Sequence, residues 1–308
     1  MAASSICRLR NAGISVDAGI HFGRIHLIEW LRPDDLKTGR ALFDELQPLG
    51  IVAKPSVDTV FHSIATRAEL VAVLRAVEGQ FRADGVIPLL HIETHGNKEG
   101  IGISHDEGLD FIDLARELMP LNERTALRLF VVLGACESLW GMTMSMPSER
   151  AAFQVILGSI REVTGGEMAA AMQAFYRSAF ADRNGDQAIT AMNAAVDLVT
   201  PTFGAFSAAM GFKMVYQEWI ARSLTPEAID RTVEDMNAEQ GAFLLALYGT
   251  ERSDEQVEAD RIRIRAELEN HEATFQEFRT RYFMIDLFPE NDMRFPLTFA
   301  DMQKDGPT

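Results

Sequence analysis

The chain has 308 residues, 47% of them hydrophobic, enough for one large domain or a domain with a substantial extension. Its formal charge of −16 speaks against a nucleic-acid-binding surface, and no apolar run approaches the length needed to span a bilayer. With only Cys7 and Cys136 there is no disulfide framework, and the N-terminal residues have no apolar leader core, so a reducing, cytoplasmic setting is expected.

Short apolar runs alternate with helix-period segments, the pattern of strands and crossover helices in a parallel sheet. Residues 25–31 predict a first strand, and Pro33-Asp34-Asp35 opens a helix ending near Pro48-Leu49-Gly50. Residues 51–57 predict a second strand, with Pro55 at an edge or bend. Thr66 and Glu69 form a capping box, and Leu70, Val73, Leu74 and Val77 give the helix behind it one apolar face. Residues 86–94 predict a third strand running straight into His95-Gly96, and Gly100-Ile101-Gly102 suggests a small hairpin. Phe111, Leu114, Ala115 and Leu118 mark another amphipathic helix. Residues 129–133, continuously apolar and β-branched, predict a central strand covered on both faces and ending at Gly134-Ala135-Cys136. Residues 155–160 predict a fifth strand, followed by helices over about 166–181 and 186–199 and a last strand near 212–217. Beyond residue 220 the pattern is helical, with one long charged helix over about 254–282, so a sheet domain of residues 1–220 and a helical extension of 221–308 are expected.

His95 and Cys136 stand out because each ends a buried strand beside small residues, and sites in parallel sheets gather at the carboxyl ends of strands. An imidazole beside a thiol makes a thiolate nucleophile and can return a proton to a leaving amine. The N–H groups of Gly96 and Cys136 are expected to form an oxyanion hole, and Gly134 and Ala135 to let the strand end tightly.

Strand-His-Gly followed by strand-Ala-Cys, here LLHIETHG and LRLFVVLGACES, resembles the caspase-fold cysteine peptidases, among them caspases, metacaspases, clostripain-like enzymes and bacterial CHAT domains. The segments FQVILGSIREVTGGEMAAAMQAFYRSAF and FSAAMGFKMVYQEW resemble the strand and helix after the nucleophile and the closing strand of CHAT-type domains. The similarity covers roughly residues 20–220. It implies a three-layer α/β sandwich with a mostly parallel six-stranded sheet, a cysteine endopeptidase acting on protein or peptide substrates without a cofactor, and a setting of regulated bacterial defence or cell death. The helical extension is then the expected seat of an activating partner. Gly134 replaces the glutamine of caspases, and Gly134-Ala135 replaces the Asp-Ser of metacaspases, so neither specificity carries over. Glu93 and Glu137 flank the site and are expected to draw a basic side chain to the position before the scissile bond.

Two other classes compete. His91, Glu93 and His95 alternate along one strand and share a face, where they would ligate zinc with His105, Asp106 or Asp113 as a metallohydrolase. A catalytically silent caspase-fold interaction protein acting through its helices is the other. Ser138 and Ser159 have no base in sequence, and Asn184-Gly185-Asp186 reads as a turn with a helix cap rather than a calcium loop.

Overall fold

The computed structural model describes residues 21–146, 149–182, 184–196, 201–223, 225–248 and 251–303, so Cys7 lies outside the described residues. They form two compact units that divide between Gly211 and Phe212, the second also taking in a short segment about Glu149.

The first unit is built on a six-stranded sheet of β1 (Arg24–Trp30), β2 (Asp58–Ser63), β3 (Pro88–Thr94), β6 (Phe130–Gly134), β7 (Val155–Ser159) and β8 (Phe203–Ser207). The order is β2-β1-β3-β6-β7-β8, and all neighbours run parallel except β8, which lies antiparallel to β7. The chain steps outward from β1 to β2 and then returns to the other side of β1 as β3. This reversal opens a crevice at the carboxyl ends of β1 and β3. A separate hairpin, β4 (Gly100–Gly102) with β5 (Gly108–Asp110), follows β3.

Alternation along the strands explains the layers. Ile25, Leu27, Leu89, Val132 and Leu157 pack in one core with Leu42 and Leu46 of α1 (Thr38–Val52) and with Met172, Phe175 and Tyr176 of α4 (Gly165–Asp182). The residues between them, Ile28, Leu90, Ile92, Val131 and Leu133, are equally buried. The buried stripes of α2 (Arg67–Asp84; Leu70, Leu74, Val77) and α3 (Phe111–Arg124; Leu114, Leu118, Leu121) supply the layer on that side. The result is the expected three-layer sandwich with a mostly parallel six-stranded sheet. Thr66 and Glu69 make both bonds of the capping box at α2, and Asn184 caps α5 (Gly185–Ala194) by accepting from the Gln187 N–H.

Two strands differ from expectation. Residues 51–57 are not the second strand: α1 runs through Pro48 to Val52, and the strand is Asp58–Ser63. Gly50 permits the tight return, since a Cβ there would lie 2.2 Å from the Val57 carbonyl oxygen. Residues 212–217 belong to helix α6 (Ala208–Ser223), and the closing strand is β8 just before it.

The second unit is helical. In it α7 (Pro226–Tyr248) and α8 (Asp254–Glu269) share the small apolar cluster of Ile229, Val233 and Ile264, flanked by the ion pair Arg261–Glu234. The expected single helix over 254–282 is broken at Asn270, whose side chain caps a new helix, α9 (His271–Tyr282), by accepting from the Ala273 N–H. Among the described residues no helix is long and apolar enough to cross a membrane.

Candidate active site

Strand register brings the two sequence-chosen residues to one place. Glu93 pairs with Gly134 in the β3–β6 ladder, so His95 and Cys136, each two residues further on, leave the sheet side by side. Gly96 touches the second strand end directly: a Cβ on it would lie 2.8 Å from the Cys136 carbonyl oxygen and 3.0 Å from the Ala135 Cβ. Only glycine fits this approach. Gly96 also pairs with Ile101 of the hairpin, but the bonds are made by its flanks, Asn97 N–H to the Gly100 carbonyl (3.0 Å) and Gly102 N–H to the His95 carbonyl (3.0 Å). The Gly96 N–H is thus left outside the ladder.

Cys136 is partly exposed. Its thiol rests on the loop between β7 and α4, 3.4 Å from the Val163 carbonyl oxygen and 3.5 Å from the Val163 N–H. The next residue, Glu137, has a left-handed backbone (φ 52°), and its N–H donates to the Arg161 carbonyl at 3.0 Å. A non-glycine residue is held there only when its surroundings over-determine it, a feature that clusters at active sites. The turn is braced by Ser138, which donates to the Leu133 carbonyl (3.0 Å) and accepts from the Ser159 N–H (3.2 Å). Ser159 in turn donates to the Arg161 carbonyl (2.7 Å). The two serines therefore support the cysteine loop rather than act as nucleophiles.

His95 is not hydrogen-bonded to Cys136. Its Nε2 lies 2.8 Å from Oδ2 of Asp35, in the loop between β1 and α1. The same oxygen accepts the Arg32 N–H at 2.7 Å. Burial works to raise the Asp35 pKa, but the hydrogen bonds from His95 and Arg32 outweigh it and hold the carboxyl below its ordinary value. The sequence offered Asp35 only as part of a helix start. The signal that points to its role is the sheet neighbourhood, because Trp30 pairs with Thr94 and the loop after β1 rises beside the end of β3.

A cleft of about 490 Å³ opens beside His95, lined among others by Arg32, Arg67, Gly96, Ile101 and Asp113; Cys136 is outside its lining. The guanidinium of Arg32 ties this wall to the hairpin, Nε donating to the Ile103 carbonyl at 2.8 Å.

The zinc arrangement does not form. His91 is fully buried, with Nδ1 2.8 Å from the Tyr176 hydroxyl and Nε2 2.7 Å from Oε1 of Glu93. The other Glu93 oxygen accepts from the Thr38 hydroxyl at 2.7 Å. Burial, then the nearby Glu93 charge, pushes the Tyr176 hydroxyl well above its usual pKa, so it stays a donor-capable phenol. His105 and Asp106 sit fully exposed near the hairpin turn, and Asp113 pairs with Arg67 at 3.1 Å. Among the described residues no group of three or more His, Cys, Asp or Glu is placed to hold a metal ion.

The two flanking acids also part company. Glu93 is buried, with one oxygen bonded to His91 in its own strand and the other to Thr38 of α1, and is not offered to a substrate. Glu137 lies near the surface with Lys98, Nζ to Oε1 3.5 Å, and the same ammonium stands over the Trp140 ring at 5.6 Å.

No family model and no curated protein matches the chain. Among solved structures it is similar to a secreted C11 cysteine protease of Bacteroides thetaiotaomicron, "iotapain", with a TM-score of 0.43 and 9% identity over 66% of this chain and 71% of that one. It is also similar to caspase-1 of Spodoptera frugiperda, with a TM-score of 0.41 and 14% identity over 63% of this chain and 92% of that one.

Proposed function

We propose that the chain is a cysteine endopeptidase working through His95 and Cys136. The observation that carries this reading is the β3–β6 register, which sets an imidazole and a thiol on neighbouring strand ends at the carboxyl edge of a parallel sheet. His95 takes the thiol proton and the Cys136 sulfur attacks the scissile carbonyl. The N–H groups of Gly96 and Cys136 stabilise the tetrahedral oxyanion, His95 returns the proton to the leaving amine, and water releases the acyl group. In the resting arrangement the thiol sits on Val163, so the pair closes by rotation of the Cys136 side chain, as catalytic hydrogen bonds commonly tighten only on substrate binding. Regulated proteolysis in bacterial defence or cell death belongs to the same proposal through the resemblance of its motifs, as does an activating partner on the helical unit.

Cleavage of a peptide library by the parent, Cys136→Ala and His95→Ala tests the reading. Loss of cleavage in both variants is expected. Undiminished cleavage in either variant overturns the mechanism, and no cleavage by the parent under any activating condition leaves the interaction-protein reading standing instead.

A further inference from the structure

Building on the reading of His95 and Cys136 as the reacting pair, we infer that Asp35 is a positioning residue that holds His95 by Nε2 and so assigns Nδ1 to the thiol. The geometry is specific. Oδ2 of Asp35 receives two donors at once, His95 Nε2 at 2.8 Å and the Arg32 N–H at 2.7 Å. The loop that carries it is closed by its own backbone bond, Asp35 N–H to the Arg32 carbonyl at 3.1 Å. The carboxylate is therefore held by its own turn as well as by the ring.

A carboxylate below its ordinary pKa accepts hydrogen bonds and cannot donate them. Nε2 of His95 must then carry the proton toward Asp35, which leaves the lone pair of the neutral ring on Nδ1. When the S–H bond of Cys136 breaks, its proton forms a new N–H bond at Nδ1. The products are a thiolate and an imidazolium whose Nε2–H still points to Asp35; nothing is oxidised or reduced. The negative charge of Asp35 then favours the imidazolium and with it the thiolate, the orienting role that a carboxylate plays in other base-and-nucleophile sites. The charged groups that line the cleft beside His95 are Arg32, Arg67, Glu99, His105, Asp110 and Asp113. Of these, Arg67 and Asp113 pair with each other and Asp110 caps α3, so Asp35 is the acid in direct contact with the ring.

The test uses the full chain, iodoacetamide and fluorescein-labelled casein. Alkylation at Cys136, read by peptide mass mapping so that Cys7 is counted separately, is followed from pH 5 to 9 in the parent and in Asp35→Asn. In the variant the half-point of alkylation should move to higher pH, and kcat on casein should fall on the order of 10- to 100-fold with KM little changed. If Asp35→Asn does not fold, Asp35→Ser, which keeps an acceptor for the Arg32 N–H, decides by the same two measurements. An unaltered alkylation profile and kcat in a folded Asp35 variant, beside inactive Cys136→Ala and His95→Ala, overturns this inference alone. Full casein cleavage by Cys136→Ala, or no alkylation of Cys136 in the parent at any pH, overturns it together with the reading on which it rests.

Discussion

Glu93 stands opposite Gly134 across the β3–β6 ladder, and its carboxylate fills the space that a side chain at residue 134 would need. A Cβ on residue 134 would lie 2.5 Å from Oε1 and 2.6 Å from Cδ of Glu93. The carboxylate has nowhere to retreat, since one oxygen is bonded to His91 and the other to Thr38. Gly134→Ala should therefore destabilise the first unit by about 1–3 kcal/mol, the usual range for overpacking. In a Glu93→Ala background the same change should be much less damaging, and urea unfolding of the two single variants and the double variant measures that coupling. Strict additivity would refute the contact.

Tyr176→Phe deletes the hydroxyl that meets His91 Nδ1 in a fully buried position. A loss of about 1–3 kcal/mol is expected, because a buried ring nitrogen loses its hydrogen-bond partner. Thr38→Val, which frees the other Glu93 oxygen, should cost a similar amount, and the two losses should add incompletely because both act on one network. Chemical denaturation at pH 7 checks both.

Acid should weaken the fold through His26. This residue of β1 is buried against His62 of β2, Nδ1 to Nε2 3.2 Å. Burial, then the neighbouring His62 and Arg24 charges, lowers its pKa from 6.5 to about 4. The unfolded chain takes up a proton near pH 6.5 and the folded one only near 4, so the contribution of neutral His26 is complete above about pH 6.5. It is lost as the pH falls through that window, by about 2 kcal/mol at pH 5. Burial lowers the His62 pKa as well, which acts in the same direction. Unfolding midpoints at pH 7 and pH 5 should differ accordingly for the parent and much less for His26→Gln; equal differences would exclude His26 as the source.

Lys98 offsets the charge of Glu137 at the edge of the site. On the proposed protease reading, Lys98→Met should raise cleavage after basic residues by about 2- to 5-fold over neutral ones, matching the strength of a solvent-exposed pair. Glu137→Gln should do the reverse. Profiling both variants on a peptide library measures the ratio, and an unchanged ratio in both removes Glu137 from the specificity of the site.

What could be read from the sequence followed from local signals. The all-apolar run at residues 129–133 identified its own strand, the Thr66 and Glu69 pair its own helix start, and Asn184 its own cap. His95 and Cys136 could be placed at strand ends for the same reason. Pro48 looks like a helix stop and so displaces the expected second strand to residues 51–57, whereas packing of Leu42, Leu46 and Gly50 carries α1 through it to Val52. His91 and Glu93 share a buried face, as their alternation predicts, but that face is partnered by Tyr176, a residue of α4 far along the chain, and His95, beyond the strand end, meets Asp35 instead. Asp35 was invisible as a site residue because its bond to His95 depends on which strands are neighbours, a property no local pattern records.

The hairpin beside the cleft is fastened from outside its own ladder. Arg32 holds the Ile103 carbonyl, the Arg67 N–H donates to Oε2 of Glu107 at 2.7 Å, and the Phe111 N–H donates to the Glu99 carbonyl at 3.0 Å. Its turn, by contrast, leaves His105 and Asp106 fully in solvent. A backbone cut between those two residues would thus separate the chain covalently while both new ends stayed moored, one to Arg32 and the other to Arg67. The wall of the cleft can tolerate a nicked form that still behaves as one body.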